Sequence, residues 1–194
     1  QQELCGIDHP IAGGIFANEI KTSPAIFELH NFHGLGLEFE IAVTLSDDLK
    51  PEMGPFNNQN IRKFIKSLSP AFELIIDRDA NYSNINPLSM IIDNAWCSGI
   101  VLGKELADWT NLDLDTIRSK LFWNDEIPQN AMIKDAKPID SLLWVSNLLT
   151  SLGRTIPKNS VIITGSVIKT RAPKKGDSII YNVGNLSEVE IKII

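Results

Sequence analysis

The stretch GLEFEIAVTL, residues 36–45, alternates with a period of two: Leu37, Phe39, Ile41 and Val43 point one way, Glu38, Glu40, Ala42 and Thr44 the other. It predicts a strand with one apolar face and two carboxylates side by side on the opposite face. At i and i+2 their β-carbons lie about 6–7 Å apart, so the two charges repel unless they are solvated or bridged. A solvent-facing polar edge satisfies them as well as a cation does, and the E-x-E pattern alone leaves both open. Glu73 shifts the balance, because the sequence AFELII surrounds it with large apolar groups. An unpaired buried carboxylate costs several kcal/mol as an order of magnitude, so Glu73 requires a partner. Three carboxylates suit a hard divalent cation such as Mg²⁺ or Mn²⁺, which takes about six oxygen ligands and leaves positions for water and a chelating ligand. A structural ion pair of Glu73 with Arg78 or Arg62 is the alternative.

The remaining composition is that of an ordinary globular chain. Its 194 residues, 43% hydrophobic and 22% charged, suffice for one well-buried core, and a single domain spanning 1–194 is expected. A net charge of -6 without a large Lys/Arg block argues against a nucleic-acid partner. No apolar stretch approaches the roughly 20 residues of a membrane helix, and the start, QQELCGIDHP, has no signal-peptide profile. Cys5 and Cys97 lack metal-ligand or disulfide spacing and read as unpaired thiols. A cytoplasmic location fits these features.

Along the chain the pattern is α+β and strand-dominated, without repeats or linkers. NNQNIRKFIKSL has helical spacing in Ile61, Phe64, Ile65 and Leu68, and SPAFELIID returns to a strand. NPLSMIIDNAW reads as a short helix behind Pro87, SGIVLG as a buried strand, and IRSKLFWNDEIPQNAMI as a hairpin turning at Asn124-Asp125. KPIDSLLWVSNLLTSLG is the clearest helix, amphipathic and ended by Gly153, with Trp144 expected in the core. SVIITGS, DSIIYNV and EVEIKII are strands, separated by turn signals at Lys175-Gly176-Asp177 and Gly184-Asn185. His30 and His33 read as loop residues rather than ligands, since carboxylate sites for hard cations seldom need imidazole.

EFEIAV, SPAFELIIDR, DNAWCSGIVLG, KPIDSLLWVSNLLTSLG and VIITGSVIKTRAPKKGDSIIYNVGNLSEVEIKI stand in this order over nearly the whole chain. In this series the chain resembles the 2-oxopent-4-enoate hydratase and 4-oxalocrotonate decarboxylase family of the fumarylacetoacetate hydrolase superfamily. The resemblance implies a strand-rich mixed β-barrel or roll with a few flanking helices. It implies Glu38, Glu40 and Glu73 as ligands of Mg²⁺ or Mn²⁺, Arg78 and Asp93 as catalytic residues, and Asn94, Thr164 and Ser166 as substrate-binding residues. The implied substrates are 2-oxo or 2-hydroxydienoic acids whose C1 carboxylate and C2 oxygen chelate the metal. The implied assembly is a homo-oligomer or a hydratase-decarboxylase complex. Each pocket residue also has a structural alternative: Asp93 ending a helix, Arg78 pairing with a surface acid, Thr164 packing in its strand.

Three departures accompany the resemblance. The family's proton-transfer lysine lies just before the stretch matching QQELCGIDHPIAGG, and residues 1–30 are expected to be a remnant of the N-terminal region. Ile11 stands where the family commonly has an acidic residue, and Trp96 where it has a serine. A metal-dependent lyase is the leading expectation. A catalytically reduced scaffold that binds metal, ligand or a partner subunit, and an acylpyruvate C–C bond hydrolase, are the alternatives.

Overall fold

A computed structural model describes residues 5–184 and 187–194. Two five-stranded mixed sheets make up the framework. The first runs in the order β1 (Ile20–Thr22), β5 (Cys97–Leu102), β4 (Ile65–Ile76), β3 (Leu35–Leu45), β8 (Val161–Ile163). The second runs β2 (Ala25–Phe27), β10 (Ser187–Ile193), β9 (Ser178–Val183), β6 (Arg118–Trp123), β7 (Gln129–Met132). Flanking helices include α1 (Pro87–Ile92) and α2 (Pro138–Ser151). This is the strand-dominated α+β roll that the sequence predicts. Among the described residues no helix is long and apolar enough to cross a membrane.

The core forms where the apolar alternations of the two sheets meet. Leu37, Phe39, Ile41 and Val43 of β3 pair across the ladder with Leu74, Phe72, Pro70 and Leu68 of β4. Phe39 meets Phe72 edge-on at 5.8 Å between ring centroids, and Tyr181 from the second sheet lies 5.8 Å from Phe39 and 6.3 Å from Phe72. These three rings are fully buried and anchor sheet to sheet. The other face of β3 is covered as well, Ala42, Thr44 and Glu40 all being buried, so the expected one-sided strand is two-sided.

The structure corrects two more expectations. Residues 57–68 are not a helix: Asn57 caps a turn by accepting from the N–H groups of Gln59 and Asn60, and Ile61–Phe64 form one 3₁₀ turn. Ile65 then opens β4, whose ladder with β3 runs nearly the full strand length. Ile61 and Leu68 reach the core all the same, so an apolar spacing of helical period serves a turn followed by a strand, and long-range pairing outweighs local period. Trp144 is half-buried rather than core: with Pro51, Pro55, Leu143 and Leu148 it lines a surface groove of about 800 Å³ beside α2. The helix itself ends as predicted, with Gly153 at φ +74°.

The hairpin β6–β7 turns after Trp123, with Asn124 at φ +50°. Asn185 of the Gly184-Asn185 turn signal lies outside the described residues. Residues 20–27, expected as part of an N-terminal remnant, are structural: β1 adds in parallel to β5 and β2 in parallel to β10, so this stretch gives each sheet an edge strand. Ile11 joins Met90 and Ala95 in a second, small apolar cluster.

Removing the ring at the centre of the first sheet should be costly. Phe72→Ala is expected to lower unfolding free energy by about 3–5 kcal/mol, checked by urea denaturation. A loss under about 1 kcal/mol would show that the three-ring contact is not the anchor.

Candidate metal centre

The register of β3 against β4 builds the site. Glu38 lies directly opposite Glu73, and Glu40 opposite Ala71, so all three carboxylates rise from one face of one two-stranded ladder. One oxygen from each lies within 4.8 Å of the others. Octahedral coordination at about 2.1 Å places neighbouring ligand oxygens about 3.0 Å apart and opposed ones about 4.2 Å apart. The observed spacing therefore closes onto a cation by small side-chain rotations. The donor set is all oxygen and all carboxylate, which matches Mg²⁺ and Mn²⁺.

Nothing of opposite charge relieves the cluster among the described residues: none of the ion pairs found there includes Glu38, Glu40 or Glu73. The alternative partner Arg78 is engaged elsewhere, its Nε donating to Asp93 Oδ1 at 2.7 Å. Burial pushes Glu73 up to about 7, with Glu38 across the ladder adding to the shift. Burial first, then Glu73 and Glu38, raise Glu40 well above the ordinary carboxylate range. Two hydrogen bonds orient the carboxylates: the Gly165 N–H donates to Glu40 Oε2 at 2.7 Å, and the Thr170 hydroxyl donates to Glu38 Oε1 at 2.6 Å. Both donors come from the chain that follows β8.

The remaining predicted site residues fall into two groups. Arg78 and Asp93 stand together on a polar cleft of about 360 Å³, which Asn81, Asn84 and Trp96 also line. Asp93 ends α1 and pairs with Arg78 at once, so both structural alternatives hold for this pair. The Tyr82 ring meets Trp96 at 5.7 Å between centroids, tilted by 58°, and its hydroxyl donates to Asp77 Oδ2 at 2.6 Å. Burial and that hydrogen bond push its hydroxyl up to about 12, with the charges of Asp77 and Glu38 adding to the shift. Asn94, Thr164 and Ser166 spend their side chains on the backbone. The Asn94 amide clasps Gly14, accepting from its N–H at 2.7 Å and donating to its carbonyl at 2.8 Å. Thr164 donates to the Ile41 carbonyl at 2.9 Å, and Ser166 donates to the Ile168 carbonyl at 2.7 Å while accepting from the Phe39 N–H at 2.8 Å. His30 and His33 are exposed, paired with Glu28 and Asp79. Both cysteines are free.

Sequence reasoning passes over Thr170, Gly165 and Tyr82. Thr170 and Gly165 lie more than 120 positions from the glutamates they touch, and no local pattern signals such a contact. The oxygen-rich T-x-x-x-x-x-T run after β8 is the one available hint.

The arrangement, a carboxylate trio on a mixed two-sheet roll, defines a fumarylacetoacetate-hydrolase-like fold with a candidate divalent-metal centre. The chain matches 4-oxalocrotonate decarboxylase from Pseudomonas putida G7, complexed with magnesium and adipate, at a TM-score of 0.90 and 23% identity, over 100% of this chain and 73% of that one. A fumarylacetoacetate hydrolase family protein from Yersinia pestis matches at a TM-score of 0.66 and 16% identity, over 91% of this chain and 81% of that one. In sequence the chain is 24% identical to 2-keto-4-pentenoate hydratase 1 of Dechloromonas aromatica over 190 residues, 97% of this chain and 71% of the relative. It is 26% identical to a 4-oxalocrotonate decarboxylase of Pseudomonas putida over 193 residues, 97% of this chain and 71% of the relative. No family model matches the chain. In sequence its similarity is to relatives named 2-keto-4-pentenoate hydratase and 4-oxalocrotonate decarboxylase, which are enzymes.

The raised carboxyls give the metal-free protein a definite pH dependence. A carboxyl whose folded-state pKa exceeds its unfolded value keeps its proton longer when folded. Its stabilisation is whole below the ordinary value of 4.5 and is lost as pH rises towards about 7. In chelator, thermal stability should fall between pH 5 and pH 8 by at least on the order of 2 kcal/mol, and Glu73→Gln should reduce that slope, with buried Glu40 contributing to what remains. The exposed His33–Asp79 pair contributes with the same sign but is unchanged in the variant. Asp177 acts only at lower pH: burial would raise it, but donors from Asn124, the Lys174 N–H and Trp123 hold it below its ordinary range. A slope undiminished in Glu73→Gln would remove Glu73 from the explanation.

Proposed function

We propose that the chain is a divalent-metal-dependent lyase acting on small 2-oxo or 2-hydroxydienoic acids, adding water to them or removing CO₂ from them. The observation that carries this reading is the convergence of Glu38, Glu40 and Glu73 without a counter-cation among the described residues. The hydratases and decarboxylases among its relatives supply the reaction classes. In this reading the three glutamates hold Mg²⁺ or Mn²⁺. When bound, such a cation supplies Lewis acidity to a ligand that offers adjacent carboxylate and oxo oxygens.

The chain's own groups do the rest. Glu38 and Glu40 are held by Thr170 and Gly165 with one oxygen engaged each. Arg78, fixed by Asp93, gives the cleft a positive group suited to an anionic substrate, and the Asn81 and Asn84 amides beside it add donors. Asp93 acts by fixing this guanidinium, and Asn94 by holding Gly14 of the N-terminal segment. Thr164 and Ser166 act by fixing the Gly165 peptide rather than by offering free hydroxyls.

A second reading, ligand binding without turnover, is favoured by one observation: Trp96, in tilted contact with the Tyr82 ring, occupies the wall of the cleft. Ultraviolet-monitored turnover separates the two. We expect loss of the 2-hydroxypenta-2,4-dienoate or the 4-oxalocrotonate chromophore with Mg²⁺ or Mn²⁺, none with chelator, and none with Glu73→Ala. An acylpyruvate in the same assay tests C–C bond hydrolysis. Metal-dependent thermal stabilisation without turnover of any of the three would sink the lyase and leave the binding reading.

Trp96→Ser should widen the cleft and raise turnover or ligand affinity several-fold. Unchanged values for both would show that the indole does not obstruct the site.

A further inference from the structure

Thr170 makes two contacts that a surface threonine has no need of. Its hydroxyl donates to Glu38 Oε1 at 2.6 Å, within the range of the stronger O–H···O⁻ bonds. Its methyl fills the space of a missing side chain: a β-carbon built on Gly36 would stand 2.9 Å from Thr170 Cγ2. Gly36 precedes Glu38 by two positions and shares its face of β3. With the methyl seated on Gly36, the rotamer that directs the hydroxyl to Glu38 is selected, because exchanging the two branches would drive the hydroxyl onto a glycine that offers it no side chain.

The segment carrying Thr170 is itself fixed. The neighbouring Arg171 exchanges both backbone hydrogen bonds with Leu37, at 2.8 and 3.1 Å. Its guanidinium lies 4.0 Å from the Trp123 ring centroid and binds both oxygens of Glu126. At the other end of the segment the Gly165 N–H holds Glu40. One strap, residues 164–171, thus orients both carboxylates of β3 from opposite ends.

We infer that Thr170, seated on Gly36, is a positioning residue that holds Glu38 with Oε1 engaged and Oε2 turned to the cation. The assignment rests on the metal reading above. Partners of metal ligands are typically worth 10–100-fold in metal affinity, and Thr170 belongs to that class of contact.

The test is Mn²⁺ titration of the whole chain by calorimetry, with wild type, Thr170→Val, Thr170→Ser, Gly36→Ala and the double variant Gly36→Ala/Thr170→Val. Thr170→Val should weaken Mn²⁺ binding about tenfold or more while leaving the melting temperature in chelator unchanged. Thr170→Ser, which keeps the donor, should restore most of the affinity. Gly36→Ala should weaken binding by displacing Thr170, and the double variant should be no weaker than Thr170→Val alone, because both lesions break one contact. Binding by Thr170→Val within twofold of wild type, additive losses in the double variant, or a fall in chelator melting temperature that accompanies the loss of affinity would each overturn the assignment and leave the metal reading standing. A wild type that binds no Mn²⁺ would overturn both.

Discussion

Three carboxylates share one face of one strand pair, and the molecule has to keep them there. Their repulsion and desolvation work against folding, since Glu40 and Glu73 are buried with no cationic side chain paired to them among the described residues. What holds them is the opposite face of the same ladder. Phe39 stands between Glu38 and Glu40, Phe72 is adjacent to Glu73, and both rings lock onto Tyr181 of the second sheet. The strands that carry the charges are thus buried along nearly their whole length. A site that is unfavourable alone rests on the part of the core best able to tolerate it.

The part of this that is legible in the sequence is the part set by period and neighbourhood. Alternation places Glu38 and Glu40 on one face, and the apolar surroundings of Glu73 announce a buried charge. The helix 138–151, the hairpin after Trp123 and the C-terminal strands follow from spacing and turn residues. Where local period competes with strand pairing, the reading fails: Ile61, Phe64, Ile65 and Leu68 match a helix, yet Ile65 and Leu68 belong to β4. Trp144 fails for a different reason, since helical spacing assigns it to a face without saying whether anything covers that face.

The site is less legible than the fold, because it depends on register and on contacts between distant segments. No rule of spacing pairs Glu38 with Glu73 or brings Thr170 to Glu38. The family resemblance supplies the glutamates residue by residue, and it also proposes Asn94, Thr164 and Ser166 for substrate. In the structure these three hold backbone groups. A polar residue can be tied to a site because it shapes the walls, and its type in the sequence does not distinguish that from direct contact.

The turn after α1 shows how tightly such shaping is imposed. Asn94, Ala95 and Trp96 have φ of +52°, +54° and +65°, three successive residues in the left-handed region. That conformation costs roughly 1–2 kcal/mol per residue outside glycine and asparagine, so it persists only where the surroundings determine it. Here they do: the Asn94 amide is bonded twice to Gly14, and at Gly13 a β-carbon would lie 2.4 Å from the Asn94 carbonyl oxygen. Ala95 is buried in the small cluster with Ile11 and Met90. Ile11 belongs to that cluster, and Trp96, partly buried, packs against it while also lining the cleft. The two departures from the resemblance thus meet at one constrained turn. The backbone there is held by the Asn94–Gly14 hydrogen bonds and the close approach at Gly13, and the indole adds packing on the cluster, so a smaller side chain at position 96 opens the cleft at the cost of part of the packing around the turn that positions Asp93.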